Sequence, residues 1–510
     1  MIQAFPAPAS LTSPRLLGIR RGLEKESLRV QHDGTLAQTP HPASLGSALT
    51  HPHITTDFSE SQLELITGVH AAVADCADEL LRVQAFTARN LGPEMMWVSS
   101  MPCCLPEDHA IALGQYGTSN VGRSKTVYRT GLGNRYGRRM QTISGIHYNW
   151  SLPGLSSADY FALIRNFRRH AFLLLYLFGA SPAVCSSFVQ GRDHPLQPLG
   201  GDTMYLPYAT SLRMGRLGYQ SEAQASLAVS YNGLEGYARS LEEAMTRPYP
   251  AYEAIGLRDA QGNYRQLATT LLQIENEFYG TIRPKRVIRS GERPLHALRE
   301  RGVEYVEVRL MDLDPFEPTG ISADTMRFLD VFLLHCLSTD SPPDSSQEIA
   351  ALGRNQHRAA ERGREPGLKL ERGAAEVSLV DWGSELVDAM APLAAQLDVA
   401  HGCQDYSAAV ARARSLLHAP DGLPSARVLR AIEQDHGGSF VDFVREQSLQ
   451  THQAMQQVPL SAQELADFRK QAGDSLAQQR SIEDADNVPF DVYLERYLSP
   501  AGLVVKPAAA

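Results

Sequence analysis

The chain has 510 residues, 43% of them hydrophobic, with 57 acidic against 48 basic side chains and a formal charge of −9. That is ordinary globular composition, long enough for several domains or one large one, and its acidic balance argues against nucleic acid as the main partner. No run of about 18 apolar residues is present, which excludes a transmembrane helix from the reading. The segment from Met1 to Ser13 lacks the basic and apolar parts of a secretory signal. Cys76, Cys103, Cys104, Cys185, Cys336 and Cys403 read as reduced thiols of a cytoplasmic protein, each a small buried hydrophobe. Neither a Walker-type phosphate loop nor a Rossmann fingerprint appears, so any nucleotide is held another way.

In chain order, Gly22 to Leu28 predicts a strand that carries Glu24 and Glu26 on one face. Asp57 to Ile66 is acidic and then alternates, with Gln62 and Glu64 opposite Leu63 and Leu65. Ala74 to Asn90 has the spacing of an amphipathic helix, stopped at Leu91-Gly92-Pro93. Gln115 to Arg123 reads as a polar, glycine-punctuated loop, followed by Lys125, Tyr128, Arg129, Arg135, Arg138 and Arg139. A cationic segment of this kind suits a triphosphate, and a solvated basic helix face is the plainer alternative. Ile143 to Trp150 alternates again, with Gly145, His147 and Asn149 on one face.

Residues 157–178 and 221–245 read as helices. Leu271 to Tyr279 alternates like a strand, with Gln273, Glu275, Glu277 and Tyr279 on one side, and Arg283 to Arg286 adds a second basic cluster. Val303 to Arg309 is the clearest strand: Val306 and Val308 point one way, Tyr305, Glu307 and Arg309 the other. Ser322 to Ser338 is a helix, only helices are expected from about 345 to 500, and Ser461 to Glu464 is a capping box. The expected organisation is a sheet region with inserted helices over 1–320 and a mainly helical region over 321–510, packed as one unit.

Like charges crowded on one sheet face repel, so four strands bearing carboxylates need a chemical reason. Hard divalent cations supply one. Mg2+ sits between a few carboxylates and substrate phosphates, and one His among Glu and Asp suits Mg2+ or Mn2+ better than zinc.

The stretches Gly22 to Arg29, Thr55 to Phe58, Tyr116 to Asn120, Ser144 to Asn149, Tyr205 to Arg213, Arg283 to Arg286 and Glu304 to Arg309 closely resemble the proteobacterial (type 1) glutamate–cysteine ligases, in the same order. The resemblance runs from about residue 17 to 497. It implies an α+β fold related to glutamine synthetase: a curved, mainly antiparallel sheet forming an active-site funnel, covered by helices. It implies ATP-dependent ligation of L-glutamate to L-cysteine through a γ-glutamyl phosphate, the first step of glutathione synthesis. By motif position the Mg2+ ligands are Glu24, Glu26, Asp57, Glu64, His147 and Glu307. Arg309 matches the arginine that stabilises the transferring phosphoryl group. Arg213 matches a glutamate-carboxylate contact, with Gln141 and Asn149 beside it. Phe58, Tyr128, Tyr219 and Tyr279 match an aromatic pocket for the cysteine side chain. Arg129, then Lys125 and Arg283, are the expected ATP-phosphate contacts.

The resemblance further implies glutathione as a feedback inhibitor; a monomer is expected, and charge balance and the lack of a long apolar run point to no nucleic-acid or membrane partner. The segments between Leu155 and Tyr160 and near Gly191 to Gly201 are shorter than the family pattern and read as surface loops. Two alternatives remain open: a related carboxylate–amine ligase with a different acceptor amine, and an inactive homologue acting as a regulator.

Overall fold

The computed structural model describes residues 11–218, 222–225, 227–289 and 291–503. Seven strands form its main sheet among the described residues. They are β1 (Arg20–Val30), β2 (Ile54–Thr56), β3 (Gln62–Ile66), β4 (Met95–Met96), β5 (Ile146–Ser151) and, later in the chain, a pair at Ile282–Lys285 and Tyr305–Met311. Between these come the short strands β6 (Ala183–Cys185), β7 (Gln197–Gly200) and β8 (Thr203–Tyr205), a small separate sheet. The later pair are therefore β9 and β10. The main sheet runs β2-β3-β1-β5-β10-β9, with β4 on the end of β1, and every pairing in it is antiparallel. The chain is α+β, an antiparallel sheet covered by helices, as the family resemblance implies.

Alternation sets the two faces of this sheet. Leu23, Leu63, Leu65, Ile146, Tyr148, Trp150, Val306 and Val308 all enter one hydrophobic core. The Ser157–Phe178 helix packs on β9 and β10, and the Ala323–Ser338 helix packs on that helix in turn. Further out lie the Leu379–His401 and Asp405–His418 helices. The same core extends from Leu11 to Leu503, so both halves of the chain contribute to it. No described helix is long and apolar enough to cross a membrane.

Inside this core a charged knot is fully buried. Arg21 Nη2 lies 2.9 Å from Asp330 Oδ2, with both side chains wholly excluded from solvent. Tyr148 donates its hydroxyl to Asp330 Oδ1 at 2.7 Å. The knot ties β1 and β5 to the helix beneath them.

Several segments depart from the sequence-based expectation. The segment after Ser119 is a helix, Asn120–Tyr136, started by the Ser119 hydroxyl accepting from the Gly122 N–H. The alternating stretch Leu271 to Tyr279 is a loop with one 3-10 turn at Glu275–Glu277. Its acids are claimed by Arg293 and Arg135 rather than aligned along a sheet edge. The expected helix over 221–245 is two pieces, Glu222–Ala225 and Leu234–Thr246. Between them Val229 and Tyr231 turn into the core, and Asn232 is fixed to the backbone of Asp344. The last third is not wholly helical, because Lys369–Arg372 (β11) and Ala375–Ser378 (β12) pair as a hairpin. Gly373 supplies the positive φ of its turn, and Arg354 and Arg358 hold Glu371 and Glu376 from the preceding helix.

Breaking the buried knot strands a charge in the core. Asp330→Asn is expected to lower unfolding free energy by ~3–5 kcal/mol, and Tyr148→Phe by only ~1 kcal/mol. Urea denaturation measures both, and equal small losses would mean that water enters the knot.

Candidate active site

The opposite face of the main sheet carries the chemistry. Register brings the polar side chains of adjacent strands together. Glu26 pairs with Glu64, Glu24 with His147, and Glu307 with both Asn149 and Arg283. The ligand atoms of Glu24, Glu64 and His147 all lie within 4.8 Å of one another. His147 Nδ1 is 3.0 Å from Glu24 Oε2 and 3.9 Å from Glu307 Oε1, and Nε2 is 3.6 Å from Glu26 Oε1. Asn149 donates to Glu24 Oε1 at 2.9 Å, and the Gly145 N–H donates to Glu26 Oε2 at 2.8 Å.

The electrostatics divide this face in two. On one side, burial and the nearby Asp57 push the Glu26 carboxyl up to about 8. Burial and the charges of Glu24, Asp57 and Glu26 drive Glu64 well above the carboxylate range. These carboxyls are costly as anions unless positive charge joins them. On the other side, burial opposes ionisation of Glu307, but Lys285, Arg309, His147 and Arg283 outweigh it and hold the carboxyl well below its usual value. Lys285 Nζ is 3.1 Å from Glu307 Oε1, and Arg309 Nη1 is 3.1 Å from Oε2. Burial and the adjacent Arg309 lower the proton affinity of His147, which favours the neutral imidazole a metal requires. Crowded oxygen donors and one neutral nitrogen fit a hard divalent cation.

Arg213 closes one end of the site. Its Nη2 donates to the Arg309 carbonyl at 2.8 Å, and Asp312 lies 4.0 Å from its Nη1. Gly145 leaves the room it needs, since a Cβ there would stand 2.1 Å from the guanidinium. The Asn120–Tyr136 helix borders the other end. Arg129 donates from Nε to the Asp57 carbonyl and stacks 4.4 Å over the Tyr116 ring. Lys125 Nζ lies 5.2 Å from the same ring, and burial with the neighbouring Arg129 pulls it down to about 8. Tyr116 in turn donates to the carbonyls of Thr56 and Asp57. Phe58 is buried next to Asp57. Gln141 donates to the Tyr279 hydroxyl at 2.7 Å, and burial together with the charges of Glu277 and Tyr279 keeps the Tyr128 phenol protonated.

The structure therefore gathers Glu24, Glu26, Asp57, Glu64, His147, Glu307, Arg309, Asn149 and Arg283 on or beside one sheet face. Tyr219 lies outside the described residues. Arg283 is more committed than its sequence position predicts, because its Nη2 donates to the carbonyls of Asn276 and Phe278. Three other arginines of the basic clusters serve the scaffold. Arg138 holds the carbonyls of His109 and Ile111, Arg139 that of Gln190, and Arg286 that of Arg301. One residue reads in the sequence only as part of the Arg283 to Arg286 basic cluster and not as a site residue: Lys285. Its signal was its place two residues after Arg283 on one strand, hence on the same face.

The helical last third reaches this site too. Glu483 accepts from the Thr118 N–H at 2.8 Å, Asp486 accepts from the Asn120 side chain at 2.6 Å, and Arg123 stacks 4.1 Å over Phe490. These contacts anchor the start of the helix that carries Lys125 and Arg129.

A carboxylate cluster beside fixed cations is the equipment of an enzyme that moves phosphoryl groups. Comparison with known proteins makes the class specific. Residues 9–359 match the family described as "Glutamate-cysteine ligase". A relative from Saccharophagus degradans named "Glutamate--cysteine ligase" is 46% identical, covering 97% of this chain and 98% of its own. Another of that name, from Pseudomonas aeruginosa strain PAO1, is 46% identical over 96% of both chains. The crystal structure of a glutamate–cysteine ligase from Francisella tularensis in complex with AMP is 38% identical, with a TM-score of 0.91 over 96% of this chain and 99% of that one. A bifunctional glutathione synthetase from Pasteurella multocida is 27% identical with a TM-score of 0.68, covering 95% of this chain and 57% of that one. The chain belongs to the glutamate–cysteine ligase family.

Filling the space at Gly145 displaces Arg213 without touching the core. Gly145→Ala is expected to cut ligase turnover by ~100-fold or more, since a displacement of about 1 Å can cost that much. Circular dichroism and the urea midpoint should stay near those of the parent. Unchanged turnover would mean that Arg213 has no part in the reaction.

Proposed function

We propose that this chain joins the γ-carboxylate of L-glutamate to the amine of L-cysteine at the expense of ATP, with Mg2+ held by the carboxylate face. The observation that carries the reading is the convergence of Glu24, Glu64 and His147 within 4.8 Å, flanked by the Lys285–Glu307–Arg309 cluster. Glu26, Asp57 and Glu307 complete the proposed ligand set, and Mn2+ suits the same donors. These carboxylates and His147 would hold the divalent cation, which would supply positive charge to offset that of the phosphates.

The protein's own residues do the rest. Arg309 faces the transferring phosphoryl group, where a fixed cation stabilises charge spread over the equatorial oxygens. Arg213 holds a glutamate carboxylate, with Asn149 and Gln141 beside it. Lys125 is the freest phosphate contact: among the described residues no carboxylate reaches salt-bridge distance of it. Arg129 and Lys285 supply further positive charge, and so does Arg283, whose Nη2 is taken by the carbonyls of Asn276 and Phe278. The cysteine side chain lies among Phe58, Tyr128 and Tyr279, and its amine attacks the γ-glutamyl phosphate as the phosphate leaves. We infer a cytoplasmic reaction, because the six cysteines are all unpaired thiols.

The test is ADP release with Mg-ATP and glutamate, offering cysteine, 2-aminobutyrate, alanine or glycine. Strong turnover with cysteine, weaker with 2-aminobutyrate and little with glycine is the expected order. Turnover that ignores the acceptor would favour a different carboxylate–amine ligase. Glu64→Gln should weaken Mn2+ binding, followed by calorimetry, at least ~10-fold. Tyr279→Ala should raise KM for cysteine far more than KM for ATP, and an equal rise in both would remove it from the acceptor pocket.

A further inference from the structure

Glu277 is buried two residues before Tyr279, far from solvent and off the metal-facing sheet. Every oxygen it owns is used. Oε1 accepts from Arg135 Nη1 at 2.8 Å and from the Tyr136 hydroxyl at 2.6 Å. Oε2 accepts from the Gln273 N–H at 2.6 Å. Its carbonyl accepts from Gln224 Nε2 at 2.9 Å. The other end of that amide, Gln224 Oε1, accepts from the Tyr279 N–H at 3.0 Å. The Tyr136 ring stands edge-on to Tyr279, 5.7 Å between centroids.

The same set of bonds reaches Tyr128. Gln273 Nε2 donates to the Tyr128 carbonyl at 3.3 Å, and Gln273 is seated against Gly131, where a Cβ would stand 2.1 Å from its Oε1. Arg135 extends the network to the carbonyls of Ala268 and Leu271 and stacks 4.1 Å over Tyr252. One carboxylate thus fixes the 271–279 loop, which carries Tyr279, against the helix that carries Tyr128. No ladder of strand hydrogen bonds does this, because the loop is not a strand.

We propose that Glu277 is a positioning residue that sets the separation of Tyr128 and Tyr279, and thereby selects the acceptor amine by the size of its side chain. This rests on the reading that those two tyrosines receive that side chain. A carboxylate is required at this point. It accepts three bonds, two of them from donors that are themselves fixed, and its charge matches Arg135, both side chains being buried. A glutamine keeps the shape, but its NH2 must face Arg135 or the Gln273 N–H, both donors. The loop then shifts, and with it Tyr279. A pocket that loses a defined width loses discrimination between side chains that differ by one small group.

The experiment compares the parent enzyme with Glu277→Gln, Glu277→Asp, Tyr136→Phe and Tyr279→Ala, each with cysteine, 2-aminobutyrate and alanine as acceptor. Glu277→Gln is expected to lower kcat/KM for cysteine about tenfold, with KM for ATP and glutamate within about twofold of the parent. The preference for cysteine over alanine should shrink by a similar factor. Tyr136→Phe removes one bond to the carboxylate and should move the same ratio about two- to tenfold. Glu277→Asp keeps the charge and should restore part of the preference. If Glu277→Gln fails to fold, Tyr136→Phe decides alone. A parallel rise in KM for cysteine, glutamate and ATP would mark a general structural role and overturn the inference. An unchanged acceptor ratio in Glu277→Gln or Tyr136→Phe, with Tyr279→Ala still raising KM for cysteine, would overturn it as well. If Tyr279→Ala leaves KM for cysteine unmoved, it is the pocket reading itself that fails.

Discussion

Repulsion among carboxylates on a single sheet face is the constraint that shapes the rest of this structure. Antiparallel register places Glu26 opposite Glu64 and Glu24 opposite His147, so the anions cannot avoid each other. In water such a face would be dispersed; here burial makes it expensive. The protein answers with two arrangements side by side. Glu307 is matched by its own cations, Lys285 and Arg309. Among the described residues Glu26 and Glu64 have no such ion pair to a lysine or arginine, and burial together with the neighbouring carboxylates raises their proton affinity. The face therefore has a cationic half suited to phosphate and an anionic half suited to metal, separated by one strand.

Holding such a face together requires rigidity behind it. The buried Arg21–Asp330–Tyr148 knot and the apolar residues between the carboxylates fasten the sheet to its helical backing. In front, several described segments border the site. Its walls are separate pieces: the helix with Lys125 and Arg129, the segment with Arg213, and the loop with Tyr279. Each is secured by its own polar anchor, through Glu483 and Asp486, through the Arg309 carbonyl, and through Glu277. The C-terminal helices thus act on the site at a distance in sequence, by fixing the start of the helix at Asn120.

Much of the sheet face was legible beforehand because a strand's two-residue period separates its faces without further information. Glu24, Glu26, His147, Asn149, Glu307 and Arg309 all follow from it. The same rule failed at Leu271 to Tyr279, which alternates equally well but forms a loop. Its acids are satisfied by Arg135 and Arg293 from distant elements, and periodicity records nothing about distant partners. The basic residues were harder still. Arg129, Arg135 and Arg138 look alike in sequence, yet one borders the site and the others brace the scaffold.

The sequence by itself determined which side chains share a face on the carboxylate-bearing strands, where those strands and most helices run, and the family to which the chain belongs. These are local properties, written in spacing and in short motifs. Only the tertiary structure decided which carboxylates meet, which cations are spent on carbonyls and which remain available, and that Lys285 stands against Glu307. Those outcomes depend on register between strands far apart in the chain and on the charge balance of a buried volume, and neither is a property of any one segment.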